Sequence, residues 1–98
     1  MFSNMKAELL IDERVKAGDT AFAALKLWRV PNPVPGSAHS YNDRLAFVVE
    51  GVCVLRYDNE SGKGDHKHIG DREPAYTVTT PRQLLADFWD DVRQSGRK

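Results

Sequence analysis

Leu45-Ala46-Phe47-Val48-Val49-Glu50-Gly51-Val52-Cys53-Val54-Leu55-Arg56-Tyr57 is the stretch that sets the fold class. Two runs rich in β-branched and aromatic residues are joined by two residues ending in glycine. That pattern makes a tight antiparallel hairpin over 44–58. Both runs are nearly all apolar, so the strands are expected to be central, or covered on both faces by helix or partner. Cys53, inside the second run, reads as an inert buried thiol.

Upstream, Ala7, Leu9, Ile11 and Val15 fall at odd positions, and Lys6, Glu8, Asp12 and Arg14 at even ones. Period two over Lys6–Val15 is a half-buried strand, broken only by Leu10 and Glu13. Lys16-Ala17-Gly18-Asp19 is a turn, and Thr20–Val30 follows as a second strand stopped by Pro31. Its alternation is weak, and Ala21, Ala23 and Ala24 also suit a helix. Downstream, Ala75–Thr79 reads as a short fifth strand. A helix then starts with Thr80 as N-cap, Pro81 at N1 and Gln83 at N3, a capping box. Leu84, Leu85, Phe88, Trp89 and Val92 form one apolar stripe, with Arg82, Asp87, Asp90, Asp91 and Arg93 on the other face. That acidic face suits either solvent or a basic partner segment. The order predicts an α+β fold: an antiparallel sheet of four to five strands built from hairpins, with one C-terminal helix packed on a face.

Ninety-eight residues suit a single domain over 1–98. The chain is 41% hydrophobic and 29% charged, which argues against disorder. Lys plus Arg is 14 and Asp plus Glu is 14, so no polybasic or acidic tail is present, although one face can still be basic. No apolar run approaches the ~18 residues of a membrane span. The N-terminal stretch has no apolar h-region of a secretion signal. A lone cysteine builds neither an internal disulfide nor a thiolate zinc site, which fits a reducing cytoplasm.

The chemistry-bearing stretch is Arg56-Tyr57-Asp58-Asn59-Glu60-Ser61-Gly62-Lys63-Gly64-Asp65-His66-Lys67-His68, read as a loop after the fourth strand. Three readings stand. In the first, His66 and His68 cut RNA: one imidazole takes the 2′-OH proton and the other protonates the leaving 5′-oxygen. Lys63, Lys67 or Arg56 then holds the phosphate, and Gly62 and Gly64 let backbone N–H groups approach it. This needs no metal and no cofactor. If the two histidines lie in extended backbone, they share a face. In the second reading, the His-x-His pair binds a divalent metal with Asp65 or Asp58, as in a metal-dependent nuclease. In the third, the stretch is a solvated connection without chemistry.

A second cluster, Ser37, His39, Tyr41 and Arg44, follows the loop Pro31-Asn32-Pro33-Val34-Pro35-Gly36. His39 joins the first cluster if that loop folds over the sheet, and is otherwise a loop histidine in water. Lys26, Arg29 and Arg44 face only Asp43 in count over 26–44, so this is the expected anion-facing side. Trp28 and Tyr57 suit base stacking or the core. Phe88 and Trp89 read as packing residues.

Met5-Lys6-Ala7-Glu8-Leu9-Leu10-Ile11, Trp28-Arg29-Val30-Pro31 with Pro33-Val34, Gly36-Ser37-Ala38-His39-Ser40-Tyr41 and Arg44-Leu45 resemble the TumE-type toxins of bacterial toxin–antitoxin pairs. So do Arg56-Tyr57-Asp58-Asn59-Glu60 and Gly62-Lys63-Gly64-Asp65-His66-Lys67-His68. The resemblance runs from Met5 to about Val92. It implies a cytoplasmic toxin neutralised by a DNA-binding, helix-turn-helix antitoxin, acting on RNA or the ribosome as an endoribonuclease or translation inhibitor. It carries over His39, Tyr41 and Arg44 from the first motif, and Asp58, Lys63, Asp65, His66 and His68 from the second. Arg56 and Lys67 join the binding set by their chemistry. Residues 1–4 precede the family's usual start and are expected to be a disordered or non-native extension. The alternative is a non-catalytic protein that occupies the ribosome or a partner. A homodimer would hide the sheet's apolar edges.

Overall fold

The computed structural model describes residues 7–60, 62 and 64–95, and the side chain of Glu60 is not among the described features. Its elements are β1 (Glu8–Lys16), β2 (Ala21–Arg29), β3 (Tyr41–Val49), β4 (Val52–Glu60), β5 (Gly64–Ile69) and α1 (Pro81–Ser95). The strands form one antiparallel sheet in chain order, and α1 lies across one face over β4. This is the expected α+β architecture.

The β3–β4 hairpin turns at Glu50 and Gly51, both with positive φ (51° and 79°). Two successive left-handed residues give the turn whose twist matches that of the flanking strands. Leu10 breaks the β1 alternation because it is the extra residue of a bulge between Leu9 and Ile11. Past the bulge Ile11, Glu13 and Val15 share the helix side. Glu13 stays exposed there because β1 is the far edge, away from α1.

The helix-covered face carries the core. Ala23 and Leu25 pair through the sheet with Phe47 and Leu45, and those with Leu55 and Tyr57, while Leu27 packs into the same layer opposite Asp43. Leu84 and Phe88 of α1 close over them, both fully buried, each contributing about 1.5–3 kcal/mol by burial. The Tyr57 ring meets Phe88 edge-on at 5.6 Å, so Tyr57 is core and offers no stacking surface.

Four expectations are corrected. First, α1 covers only one face. β3 is central, but on its other side Ala46 and Val48 are half-buried, and Cys53 beside them is exposed rather than buried. Second, Ala75–Thr79 forms no strand; the fifth strand is Gly64–Ile69, which the sequence reads as loop. The 75–79 stretch is a strap pinned by side chains instead: Val78 N–H donates to Asp65 Oδ2 (2.9 Å) and Tyr76 Oη to Asp87 Oδ2 (2.8 Å). Third, the capping box is half made. Gln83 N–H donates to Thr80 Oγ1 (3.1 Å), but the Gln83 side chain reaches forward to Asp87 (2.8 Å). Fourth, Asp87 and Asp91 are not on the solvent face of α1. Asp91 accepts from Tyr57 Oη (2.5 Å) and Lys67 Nζ (3.0 Å), on the stripe of Leu84 and Phe88. Burial and these carboxylates hold both tyrosine hydroxyls protonated well above their ordinary range.

Candidate functional site

Successive side chains of a strand point to opposite faces. On β5 this separates Asp65 and Lys67 from His66 and His68. The register places Asp65 opposite Asn59 and Lys67 opposite Tyr57, on the covered face. His66 lies opposite Asp58 and His68 opposite Arg56, on the open face.

On the covered face the Pro-rich loop does fold over the sheet, and Asp65 is what it docks on. Asp65 Oδ1 accepts from Ser37 Oγ (3.0 Å) and His39 Nε2 (2.7 Å), while Oδ2 takes the Val78 N–H. His39 Nδ1 accepts the Tyr41 N–H (3.2 Å), which fixes the ring proton on Nε2 toward Asp65. Asn59 completes the cluster: it donates to Tyr41 O (2.7 Å) and Ser37 Oγ (3.3 Å) and accepts from Asp43 N–H (2.9 Å). The Asp43 carboxyl is buried, and its Oδ1 has no hydrogen-bond partner among the described residues. Burial, then the nearby Asp65 charge, pushes it up to about 6. Gly64 begins β5 at φ 78°, with its Cβ position 2.5 Å from Gly36 O. Glycine is there so that two backbones can touch. The Gly62 N–H likewise donates to Pro35 O (2.7 Å). The Gly62 N–H is thus spent within the chain rather than on the anion approach expected of it.

The open face gathers a different set. The imidazoles of His66 and His68 stand 5.1 Å apart, centroid to centroid. His66 Nε2 lies 2.5 Å from Asp58 Oδ1, and Asp58 Oδ2 lies 3.4 Å from Arg56 Nε. Glu73 Oε2 approaches from the loop after β5, 3.4 Å from His66 Nδ1 and 3.7 Å from His68 Nε2. One donor atom each from His66, His68 and Glu73 fall within 4.8 Å of one another, close enough for a divalent cation to be held among them. His66 is mostly buried against these carboxylates, whereas His68 is about a third exposed and Arg56 about half. Arg44 pairs with Asp58 through the sheet register, one strand further on.

A family model described as Toxin TumE matches residues 5–96. The chain belongs to the TumE toxin family. Membership makes it the toxin of a toxin–antitoxin system, with an antitoxin as its partner. No curated protein and no solved structure matches it. Among the described residues no helix is long and apolar enough to cross a membrane.

The TumE-like motifs therefore divide between two places. Ser37 and His39 of the first motif meet Asp65 of the second on the covered face, where Asn59 holds the Tyr41 carbonyl and Lys67 reaches Asp91. Asp58, His66 and His68, with Arg56 and Arg44, occupy the open face. Lys63 lies outside the described residues. Glu73 is a candidate site residue that the sequence reading misses. Its position depends on the tight return of the chain at Gly70-Asp71, where Ile69 and Arg72 exchange backbone hydrogen bonds (2.9 and 3.0 Å). Gly70, at φ 62°, is the local signal of that turn.

Proposed function

We propose that this toxin is a metal-independent endoribonuclease acting in the cytoplasm, and that His66 and His68 are its acid–base pair. The supporting observation is the pairing of two imidazoles at 5.1 Å on the one sheet face that no helix covers, beside an exposed arginine. One imidazole takes the proton of the RNA 2′-hydroxyl. The 2′-oxygen then attacks phosphorus, the P–O5′ bond breaks, and the other imidazole gives its proton to the leaving oxygen. The products are a 2′,3′-cyclic phosphate and a 5′-hydroxyl. Arg56 neutralises the charge that builds on the phosphoryl oxygens. Asp58, between His66 and Arg56, orients both. His39, Tyr41, Asp65 and Lys67 take no part in this reading, since they hold the covered face.

The test is cleavage of end-labelled RNA in EDTA by the purified protein beside its His66→Ala/His68→Ala variant. The wild type is expected to cut, and the variant to lose at least ~100-fold. Equal cutting by both, or intact RNA from both, overturns the proposal. Growth arrest with intact RNA favours a toxin that binds the ribosome without chemistry. A second reading draws on the convergence of His66, His68 and Glu73: a metal-dependent nuclease, in which EDTA abolishes cutting, Mn²⁺ restores it and Glu73→Gln removes it.

A further inference from the structure

The open face is basic although the chain as a whole is neutral. Its strand positions, read through the register, carry Arg14, Lys16, Lys26, Arg44 and Arg56. Against them, among the described side chains, stand Asp12 and Asp58 from the strands and Glu73 from the loop. Asp58 is taken up by Arg56 and His66. Asp12 reaches Lys26 only at 4.0 Å, with both side chains about half exposed, a pair worth little in water. Negative charge is gathered on the other side of the molecule, where Asp43 is buried and Asp65, Asp87 and Asp91 are hydrogen-bonded on the covered face or under α1.

The cations are set in rows. One row crosses all five strands as Asp12, Lys26, Arg44, Asp58 and His66; the next crosses as Arg14, Ala24, Ala46, Arg56 and His68. The two alanines leave the centre of the second row low. There the face is dished into a trough of about 510 Å³, floored by Ala24 and Ala46 and walled by Arg14, Lys26 and Arg44, with Asp12 and Glu13 of β1 at its edge. Arg14 is held at its place by Phe22, its guanidinium carbon 3.8 Å from the ring centre. Trp28 is half-buried one residue pair beyond Lys26 on the same face. From β1 to β5 is four strand spacings, ~19 Å. The second row leads from this trough directly to Arg56 and His68.

We infer that the trough is a binding subsite for single-stranded RNA, taking a nucleotide between Arg14, Lys26 and Arg44 while the adjoining strand runs on to the histidines. This rests on the reading of RNA as the target, and adds where the RNA lies and in which form. Three cations outnumber the carboxylates of Asp12 and Glu13 about a floor of methyl groups, and so match a nucleotide: phosphate oxygens for the charges, a base plane for the floor. The volume lies within the ~300–1,000 Å³ range of small-molecule sites. Single strands are selected because only an unpaired base can turn its face into the trough, whereas a duplex keeps its bases stacked and presents phosphates alone.

Binding is measured by fluorescence anisotropy of a labelled 12-nucleotide RNA, single-stranded or annealed to its complement. The protein carries His66→Ala/His68→Ala so that nothing is cut. Adding Lys26→Glu/Arg44→Glu is expected to weaken single-strand binding at least tenfold. The dependence of log Kd on log salt should become shallower by about 0.7 for each phosphate that is no longer neutralised. Ala46→Met, which fills the floor and changes no charge, should weaken binding by a similar factor, while Ala46→Ser should not. If the charge reversals disturb the fold by circular dichroism, Lys26→Gln/Arg44→Gln replaces them. Unchanged binding in the charge and floor variants overturns the inference, and so does duplex bound as tightly as single strand. Because the assay reads binding alone, RNA held in the trough but never cut by wild type refutes the nuclease and keeps the subsite. RNA cut equally well by the trough variants does the reverse.

Discussion

Asp65 and Lys67 point to the covered side of β5 and end in hydrogen bonds to distant segments of the chain. His66 and His68, their immediate neighbours, point to the open side, among Arg56, Asp58 and Glu73. Four consecutive residues of one motif thus serve two purposes. The covered pair fastens the Pro-rich loop, the 75–79 strap and α1 to the sheet. The open pair lies on the side of the sheet that α1 leaves uncovered. The lesson is that motif residues adjacent in sequence need not share a site. On a strand, every second one belongs to the other face.

Three changes would break or sharpen this division. The largest effect is expected at Asp65, whose carboxylate satisfies two side-chain donors and one backbone N–H on the covered face. Asp65→Ala strands all three and should cost roughly 3–5 kcal/mol in urea unfolding. His68→Ala on the opposite side of the same strand should cost less than ~1 kcal/mol. Equal costs would erase the distinction between the faces.

Gly64→Ala comes next. It places a methyl against Gly36 O in a left-handed backbone, and should cost about 2–3 kcal/mol. The loss should show in the same unfolding curves. An unchanged midpoint would mean that the Pro-rich loop is not docked through this contact.

The smallest effect concerns pH. The Asp43 carboxyl sits at about 6 in the folded protein against 3.8 ordinarily, raised chiefly by burial. Between those values the native state holds more protons than the unfolded chain. This group's contribution to stability is therefore fullest below pH ~4 and declines as pH rises through ~6. Asp43→Asn should remove that decline and gain on the order of 2 kcal/mol at pH 7. Urea unfolding at pH 4, 5, 6 and 7 reads both, and a wild-type slope that survives in Asp43→Asn would place its origin elsewhere.

Much of the fold is legible because its signals are local. The Glu50-Gly51 turn needs positive φ, and the runs around it are β-branched, so the hairpin follows from a few adjacent residues. Thr80-Pro81 likewise announces α1, and Leu84 with Phe88 names its buried stripe. The fifth strand is hidden because Gly64–Ile69 is polar almost throughout, and no run of apolar residues marks it. It pairs because β4 offers an edge, and because Asp65 and Lys67 find partners above the sheet. The 75–79 stretch has the opposite character: it is strand-like in composition, but Val78 and Tyr76 are spent on the core and on α1.

The site divides the same way. The residue types, two histidines at a spacing of two with a nearby arginine and aspartate, are a property of the sequence, and so is the shared face that extended backbone gives His66 and His68. Which face is open, and which of the neighbouring residues share it, is a property of the packing. α1 has one apolar stripe and can cover one side only. That choice turned Asp65, His39 and Lys67 into fasteners and left His68 and Arg56 reachable on the other face, with His66 buried beside them. The return of the chain at Gly70-Asp71 brings Glu73 beside them from beyond the motif, and strand alternation puts Lys26 and Arg44 on the face opposite Asp43, their neutralising neighbour in sequence. A charge count along the chain averages over both faces; only the helix lying on one of them makes the other basic.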